Sequence, residues 1–101
     1  LLIPAAWPES RINHWRTLLQ ARSIENQVFA IACNRCGPSG DILFGGHSMV
    51  IAPDGAILAE AGDQDETIVA EIDLAEVERA RKSFPVLQSR RKQLYSIVSS
   101  I

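Results

Sequence analysis

Hydrophobic and polar residues alternate along the chain in periods that predict a strand, a helix and a second strand. Residues 1–6 are apolar and are followed by Trp7-Pro8, which is typical of the end of a buried strand. After residue 11 the apolar side chains recur every three or four positions, which predicts an amphipathic helix that ends near Asn26. Residues 28–33 are continuously apolar, as in a strand buried on both faces. This order predicts a βαβ unit with a parallel pair of strands and a right-handed crossover.

Glycine and proline divide the middle of the chain into a loop and a hairpin. Residues 34–46 carry four of the six glycines and predict a long loop, a kind of segment that is often functional inside a compact domain. Residues 48–52 and 56–61 flank Pro53-Asp54-Gly55, whose turn chemistry predicts an antiparallel hairpin.

The remaining pattern predicts a strand, a helix and an arm. Residues 67–72 are rich in β-branched side chains and predict a strand. Asp73 with Glu76 three residues later forms a capping box that predicts the start of a helix, and Pro85 ends it. Residues 86–95 predict a short helix or an arm. The expected fold class is α/β, an α+β sandwich whose mixed sheet contains a βαβ unit and a hairpin.

Composition narrows the class of protein. The chain has 101 residues, of which 47% are hydrophobic and 22% charged, and this predicts one globular domain or part of a larger one. The formal charge of −2 argues against a nucleic-acid partner, and no apolar run approaches the ~20 residues of a membrane span. Two cysteines are too few for a disulfide-stapled secreted scaffold, so a cytoplasmic location is expected.

The start of the chain is unusual. Leu1-Leu2-Ile3 is already strand-like, no basic segment precedes it, and the only methionine is Met49. We therefore expect that the true beginning is missing or that the chain was processed.

Cys33 and Cys36 have the C-x-x-C spacing of a zinc half-site or a redox pair. A zinc site needs two more ligands, and His14 and His47 lie far apart in sequence. A redox pair needs a helix after the first cysteine, where this chain has glycine and proline. A small buried hydrophobic side chain is the favoured interpretation of Cys33, and no metal site is expected.

The end of the predicted first helix carries a charged pair with two open interpretations. Arg22 precedes Glu25 by three residues, beside Asn26. The pair is either an exposed helical ion pair or a buried pair that holds the helix against the sheet. At the other end, Trp7-Pro8 and His14-Trp15 are candidates for a pocket at the carboxyl end of the parallel strands, although a merely structural His14 is the favoured interpretation.

A series of short segments runs in order along the chain. They are residues 4–8, His14-Trp15 with Leu18-Leu19, residues 21–27, Asn34-Arg35 with Gly37, residues 44–48, residues 53–55, residues 71–74, and Phe84-Pro85 with Arg90-Arg91. In order and spacing this series resembles the carbon-nitrogen hydrolase (nitrilase) superfamily along essentially the whole chain, and it is most similar to the small amidases of the omega-amidase kind.

The resemblance implies an α-β-β-α sandwich enzyme without a cofactor. In that family a cysteine attacks an amide or nitrile carbon of a small molecule, a lysine stabilises the developing charge, a glutamate moves protons, and water resolves the thioester. The chain resembles only the C-terminal portion, with the sheet and helices in residues 1–84 and an arm in 85–101. The catalytic glutamate, lysine and cysteine are therefore expected upstream, and no catalytic residue is assigned here.

The resemblance also implies roles for six residues and a partner. Ala6, Trp7 and Pro8 are expected to bind substrate, whereas Arg22, Glu25 and Asn26 are expected to be structural residues near the site. Pairing through the helical faces and the arm implies a homo-oligomer. The alternative is a truncated, noncatalytic module that dimerises or binds a homologous partner through an unpaired sheet edge.

Overall fold

The computed structural model describes residues 1–96 and 98, and its centre is a four-stranded mixed sheet with one long helix packed against it. The strands are β1 (Leu2–Ala5), β2 (Ala30–Asn34), β3 (Cys36–Ser39), β4 (Ile42–Gly45), β5 (Met49–Ile51) and β6 (Ile57–Glu60). The helices are α1 (Ile12–Asn26) and α2 (Ala75–Ser83), with 3-10 turns at Glu9–Arg11 and Lys92–Leu94. The large sheet has the order β1-β2-β5-β6, while β3 and β4 form a separate pair. The predicted mixed α/β class is confirmed.

The predicted parallel pair is confirmed as well. β1 and β2 run parallel, with Leu2 opposite Ile31 and Ala5 opposite Asn34, and α1 connects them. The helix ends because Gln27 adopts a left-handed conformation (φ 50°), from which its N–H bonds back to the last turn. The carboxyl ends of β1 and β2 consequently meet at one edge of the sheet.

The hairpin around the Pro-Asp-Gly turn is also confirmed, with shorter strands than predicted. β5 pairs antiparallel with β6 on one side and with β2 on the other. Gly55 adopts a φ of +89°, and the Asp54 carboxylate accepts the N–H of Ala56 at 2.9 Å. The conformation of Gly55 and the hydrogen bond from Ala56 to Asp54 together fix the turn between the strands.

The long loop predicted for residues 34–46 is wrong. This segment contains the β3–β4 hairpin, in which Cys36 lies opposite Gly45 and Ser39 opposite Ile42. Glycine and proline weaken a strand, but a two-stranded edge tolerates them because part of its backbone needs no ladder partner. The turn between the two strands uses Gly40 at a φ of +59°.

The strand predicted for residues 67–72 is wrong, because these residues pair with no other strand in the described part of the chain. Val69 is 87% exposed there. β-branched residues favour an extended chain, but a strand needs a neighbour.

The C-terminal predictions are confirmed in part. α2 ends before Pro85, as predicted. Residues 86–95 form turns and a short 3-10 helix rather than a regular helix. The last part of the predicted arm, residues 97 and 99–101, lies outside the described residues.

The hydrophobic core lies between α1 and one face of the large sheet. Its members are Trp15, Leu19, Ala30, Ala32, Met49 and Ile51. The opposite face is open: Leu2 is 74%, Ile31 39% and Leu58 44% exposed. Burial of residues 28–33 on both faces, and of Cys33, is therefore wrong: in β2 only every second side chain is buried, and Ile31 and Cys33, on the face away from α1, are exposed. In the described part of the chain, neither helix has the length and apolar character needed to span a membrane.

Asp73 supports the start of α2 and gives that end of the helix a pH dependence. Its carboxylate pairs with Arg79 at 2.8 Å and accepts the N–H of Ala75 at 3.0 Å, and no described contact supplies the Glu76 half of the predicted capping box. The hydrogen bond from Arg79 and then that from Ala75 hold the pKa of Asp73 below its ordinary value. The stabilisation is thus present above the ordinary carboxyl pKa of about 4 and is lost as the pH falls through the lower, folded value.

We expect Asp73→Asn to lower the urea midpoint slightly at pH 7 and to have no effect near pH 2. The asparagine keeps the acceptor for Ala75 but removes the charge that Arg79 faces. Denaturation curves of both proteins across this pH range test the expectation. An equal difference at both ends of the range would contradict it.

Candidate functional site

Three segments meet at the carboxyl ends of β1 and β2. The chain leaves β1 through residues 6–8, β2 ends at Asn34, and the last residues of β4 lie alongside, since Pro8 forms an isolated antiparallel bridge with Phe44. Ligands of α/β proteins bind at this edge of a parallel pair because the connecting loops diverge there. This edge is therefore the candidate site.

A buried side-chain amide joins the three segments. Asn34 is 6% exposed. Its Oδ1 accepts the Trp7 N–H at 2.6 Å, and its Nδ2 donates to the Trp7 carbonyl at 3.1 Å and to the Gly46 carbonyl at 2.7 Å. Both amide protons and the carbonyl oxygen are thus used, which is how a buried polar group avoids a large desolvation cost.

Two tryptophans connect these loops to α1. The rings of Trp7 and Trp15 lie 5.9 Å apart between centroids and are tilted by 36°. Trp7 Nε1 donates to the Arg11 carbonyl at 2.6 Å, and Trp15 Nε1 donates to the His47 carbonyl at 2.8 Å. Each indole therefore packs its apolar body and satisfies its polar atom, which makes the base of the site rigid.

His47 forms an ion network beside the site rather than inside it. Its backbone is left-handed (φ 54°), and its Nδ1 lies 2.9 Å from Glu60 Oε1, an atom that also accepts a hydrogen bond from Arg16. The three side chains are 21–46% exposed. Partly exposed pairs of this kind contribute little stability, on the order of 1 kcal/mol or less.

The predicted substrate-binding residues are neighbours in sequence but face two different hollows. Ala6 and Pro8 line an open cleft of about 440 Å³ with residues 41–44. Trp7 lines a separate, mostly apolar hollow of about 480 Å³ with His14 and Leu18. The structure thus places Trp7 and His14 along one hollow, in line with the candidate pocket rather than the favoured interpretation of His14, but Pro8 opens to the other side. Substrate binding by these residues stays a prediction.

A third cleft, of about 650 Å³, lies next to Asn34. Its wall includes Arg35, whose guanidinium carbon stands 4.7 Å from the centre of the Phe44 ring, a cation–π contact. The carboxylates of Glu9, Asp63 and Asp65 line the same cleft. This mixture of charges with an aromatic ring makes the cleft polar and open to solvent.

The residues predicted as structural lie at the C-terminal end of α1. Arg22 pairs with Glu25, and each side chain is 51% exposed, so in this chain the exposed pair is observed rather than the buried one. Asn26 Nδ2 donates to the Arg22 carbonyl at 2.9 Å. α1 begins just after the Trp7 segment, and Arg22, Glu25 and Asn26 lie at its opposite end. The structure therefore does not bring these residues to the candidate site. Their role near the site stays a prediction.

Both cysteines are free thiols. Cys33 is exposed on the open face of the sheet, and Cys36 is half-buried in the cleft beside Asn34. In the part of the chain that the structure describes, no three histidine, cysteine or acidic side chains come together as metal ligands. The C-x-x-C spacing therefore joins one exposed residue of β2 to one cleft residue of β3.

The sequence interpretation missed the central role of Asn34. A polar residue that ends a buried strand was the available signal, but the partner Trp7 lies 27 residues away. Spacing alone does not reveal such a contact, because it depends on the register of β1 against β2.

Comparison with known proteins shows which family and which enzymes the chain is similar to. The family model for carbon-nitrogen hydrolase matches residues 6–82. A 2-oxoglutaramate amidase of Bacillus subtilis is 50% identical over 95 residues, which are 94% of this chain and 37% of that protein. The omega-amidase YafV of Escherichia coli is 43% identical, over 86% of this chain and 35% of that enzyme. The chain thus spans little more than a third of the length of these relatives.

Solved structures agree with the sequence relatives. A carbon-nitrogen hydrolase superfamily protein from Xanthomonas campestris, solved with an arsenic adduct in its active site, superposes with a TM-score of 0.84 at 33% identity. The superposition covers 98% of this chain and 37% of that one. Since the family model covers well over half of the residues, the chain belongs to the carbon-nitrogen hydrolase family.

Proposed function

We propose that this chain is the C-terminal portion of an omega-amidase-type enzyme that hydrolyses the non-peptide carbon-nitrogen bond of a small-molecule amide. The observation that carries the proposal is the 50% identity with a 2-oxoglutaramate amidase along 95 residues. The loop convergence at the carboxyl ends of β1 and β2 supports it, because those loops would form one wall of a substrate pocket.

The proposed reaction uses groups that lie outside this chain. A thiolate attacks the amide carbon, the carbon-nitrogen bond breaks, and ammonia leaves with a proton delivered by a glutamate. Water then hydrolyses the thioester to a carboxylate and regenerates the thiol. In this scheme Ala6 and Pro8, which line the open cleft, contact the acyl part of the substrate, while Trp7 lines the neighbouring hollow and holds this wall in place.

Turnover by the complete protein, as its source cells make it, tests the proposal. We expect ammonia release from 2-oxoglutaramate, blocked by prior treatment with iodoacetamide. Absence of ammonia release from 2-oxoglutaramate and from a panel of other small amides would contradict the proposed function. Release from nitriles alone would assign the protein to another branch of the family.

The free thiols of this chain are not the proposed nucleophile. We expect a Cys33→Ser, Cys36→Ser double variant of the complete protein to keep kcat/KM within about twofold and to remain sensitive to iodoacetamide. The reason is that Cys33 is exposed on the outer face of the sheet and Cys36, although it lines the cleft beside Asn34, has no base bonded to it among the described contacts. Complete loss of activity in the double variant would contradict the assignment.

The open face of the sheet favours a second candidate, a noncatalytic module that associates with a second copy or a homologous partner. On this side of the sheet Leu2 and Ile31 of the adjacent strands β1 and β2, and Leu58 of β6, are exposed, while Val50 of the intervening β5 is buried. Exposed apolar side chains of this kind favour association. Sedimentation of the complete protein tests this candidate: a stable monomer at low concentration would contradict both association and the proposed homo-oligomer.

The cytoplasmic location remains part of the proposal, since both cysteines are free.

A further inference from the structure

We propose that Asn34 is a positioning residue of the substrate pocket, whose side-chain amide holds the wall formed by residues 6–8 in register with the Gly46 turn. The inference rests on the proposed function, because it names a residue that the proposed pocket depends on.

The amide of Asn34 pairs with Trp7 as a neighbouring strand would. It accepts the Trp7 N–H at 2.6 Å and donates to the Trp7 carbonyl at 3.1 Å, so both backbone groups of the central wall residue are held by one side chain. The second amide proton reaches the Gly46 carbonyl at 2.7 Å. One planar group therefore sets the distance between two loops that come from different parts of the chain.

The amide itself is held at a fixed place. The Asn34 backbone N–H donates to Ser48 Oγ at 3.0 Å, and Asn34 lies opposite Ala5 in the parallel pair. Further contacts continue the arrangement: the Gly45 N–H donates to the Trp7 carbonyl at 3.0 Å, and the Arg35 N–H donates to the Ala5 carbonyl at 3.0 Å. Because these contacts fix the backbone around the amide, the loss of its donor bonds acts on the Trp7 carbonyl and the Gly46 carbonyl that they hold.

A shift of the Trp7 backbone would change the shape of the cleft that its neighbours line. Ala6 and Pro8, on either side of the tethered residue, line the open cleft. Misplacement of a substrate by about 1 Å costs on the order of 100-fold in rate. A residue that touches only the backbone of the wall can therefore control activity and substrate discrimination.

The chain offers a matched control in Gln27. This second buried amide is 5% exposed, and its Nε2 donates to the Ala80 carbonyl at 3.2 Å and the Phe84 carbonyl at 2.8 Å. It ties the end of α1 to the end of α2, and none of its described hydrogen bonds reaches residues 6–8 or Gly46. Replacing each amide by the isosteric acid removes two donor bonds to backbone carbonyls at each place.

The experiment compares Asn34→Asp with Gln27→Glu in the complete protein. Thermal unfolding measures the stability loss of each variant, and ammonia release gives kcat and KM for 2-oxoglutaramate and for 2-oxosuccinamate, which is one methylene shorter. We expect both variants to lose stability, but only Asn34→Asp to lose about 100-fold in kcat/KM and to bring the ratio between the two substrates close to one. Equal kinetics in the two variants, or an unchanged substrate ratio in Asn34→Asp, would overturn the inference.

A second variant covers a failure to fold. Asn34→Ser keeps a hydroxyl and buries no charge, and the same loss of discrimination is expected from it. If neither variant folds, amide hydrogen exchange in the unsubstituted protein decides: a slowly exchanging Trp7 N–H supports the tether, and a rapidly exchanging one overturns it. If the unsubstituted protein releases no ammonia, the proposed function is contradicted. The exchange rate of the Trp7 amide hydrogen then still tests, independently, whether Asn34 holds the Trp7 backbone.

Discussion

Gly46→Ala is expected to destabilise the protein by about 2–5 kcal/mol, the sum of a backbone term and a packing term. Gly46 adopts a φ of +64°, where an L side chain costs about 1–2 kcal/mol. A Cβ at this position would lie 2.7 Å from the Gly62 carbonyl oxygen and 3.1 Å from Asp63 Cα. Both neighbours are backbone atoms, so the clash is relieved only by moving the chain.

Gly40→Ala is the matched control for this substitution. Gly40 has nearly the same conformation, with a φ of +59°, but a Cβ there would meet nothing within 4 Å. We expect it to cost only the backbone term, about 1–2 kcal/mol. Urea denaturation of both variants measures the difference, and equal losses would contradict the packing of the Gly46 turn against the segment that follows β6.

The isolated 101-residue chain is expected to release no ammonia from 2-oxoglutaramate, a loss of about a millionfold relative to the complete protein, as when a hydrolase loses its nucleophile. The physical reason is that, in the proposed function, this chain supplies only pocket walls and a positioning amide, while the nucleophile, lysine and glutamate belong to the remainder of the enzyme.

The comparison requires equal molar concentrations of the isolated chain and the complete protein. Circular dichroism of the isolated chain must first reveal the helix of α1. Ammonia release by the folded chain that is blocked by iodoacetamide would contradict the expectation, because the thiol responsible would then be Cys33 or Cys36.

Local patterns predicted the central elements well. The period of the apolar residues in α1 and the Pro-Asp-Gly turn before β6 are signals carried by a few adjacent residues, and the structure contains both elements. The parallel pairing of β1 and β2 followed from their order around a helix.

Features that depend on distant partners were predicted less well. β3 contains Gly37 and Pro38, so its pairing with β4 leaves no propensity signal in the sequence. Residues 67–72 have such a signal, but the described chain offers them no neighbouring strand. The exposure of Cys33 likewise depends on what covers the second face of the sheet, which no local pattern records.

The sequence predicted where the candidate site lies but not how its side chains are arranged. Residues 6–8 were identified through a family resemblance, and the structure places them at the carboxyl ends of the parallel strands. The separation of Trp7 from Ala6 and Pro8 into two hollows, and the hold of Asn34 on the Trp7 backbone, depend on side-chain directions that spacing does not specify.

The most direct test of the central claim is mass spectrometry of the protein purified from its source cells, labelled with iodoacetamide with and without 2-oxoglutaramate. We expect an intact mass far above 11.1 kDa and one thiol, outside residues 1–101, whose labelling is prevented by the substrate. An intact mass equal to that of these residues alone, or substrate protection confined to Cys33 or Cys36, would contradict the account of this chain as the C-terminal portion of an amidase.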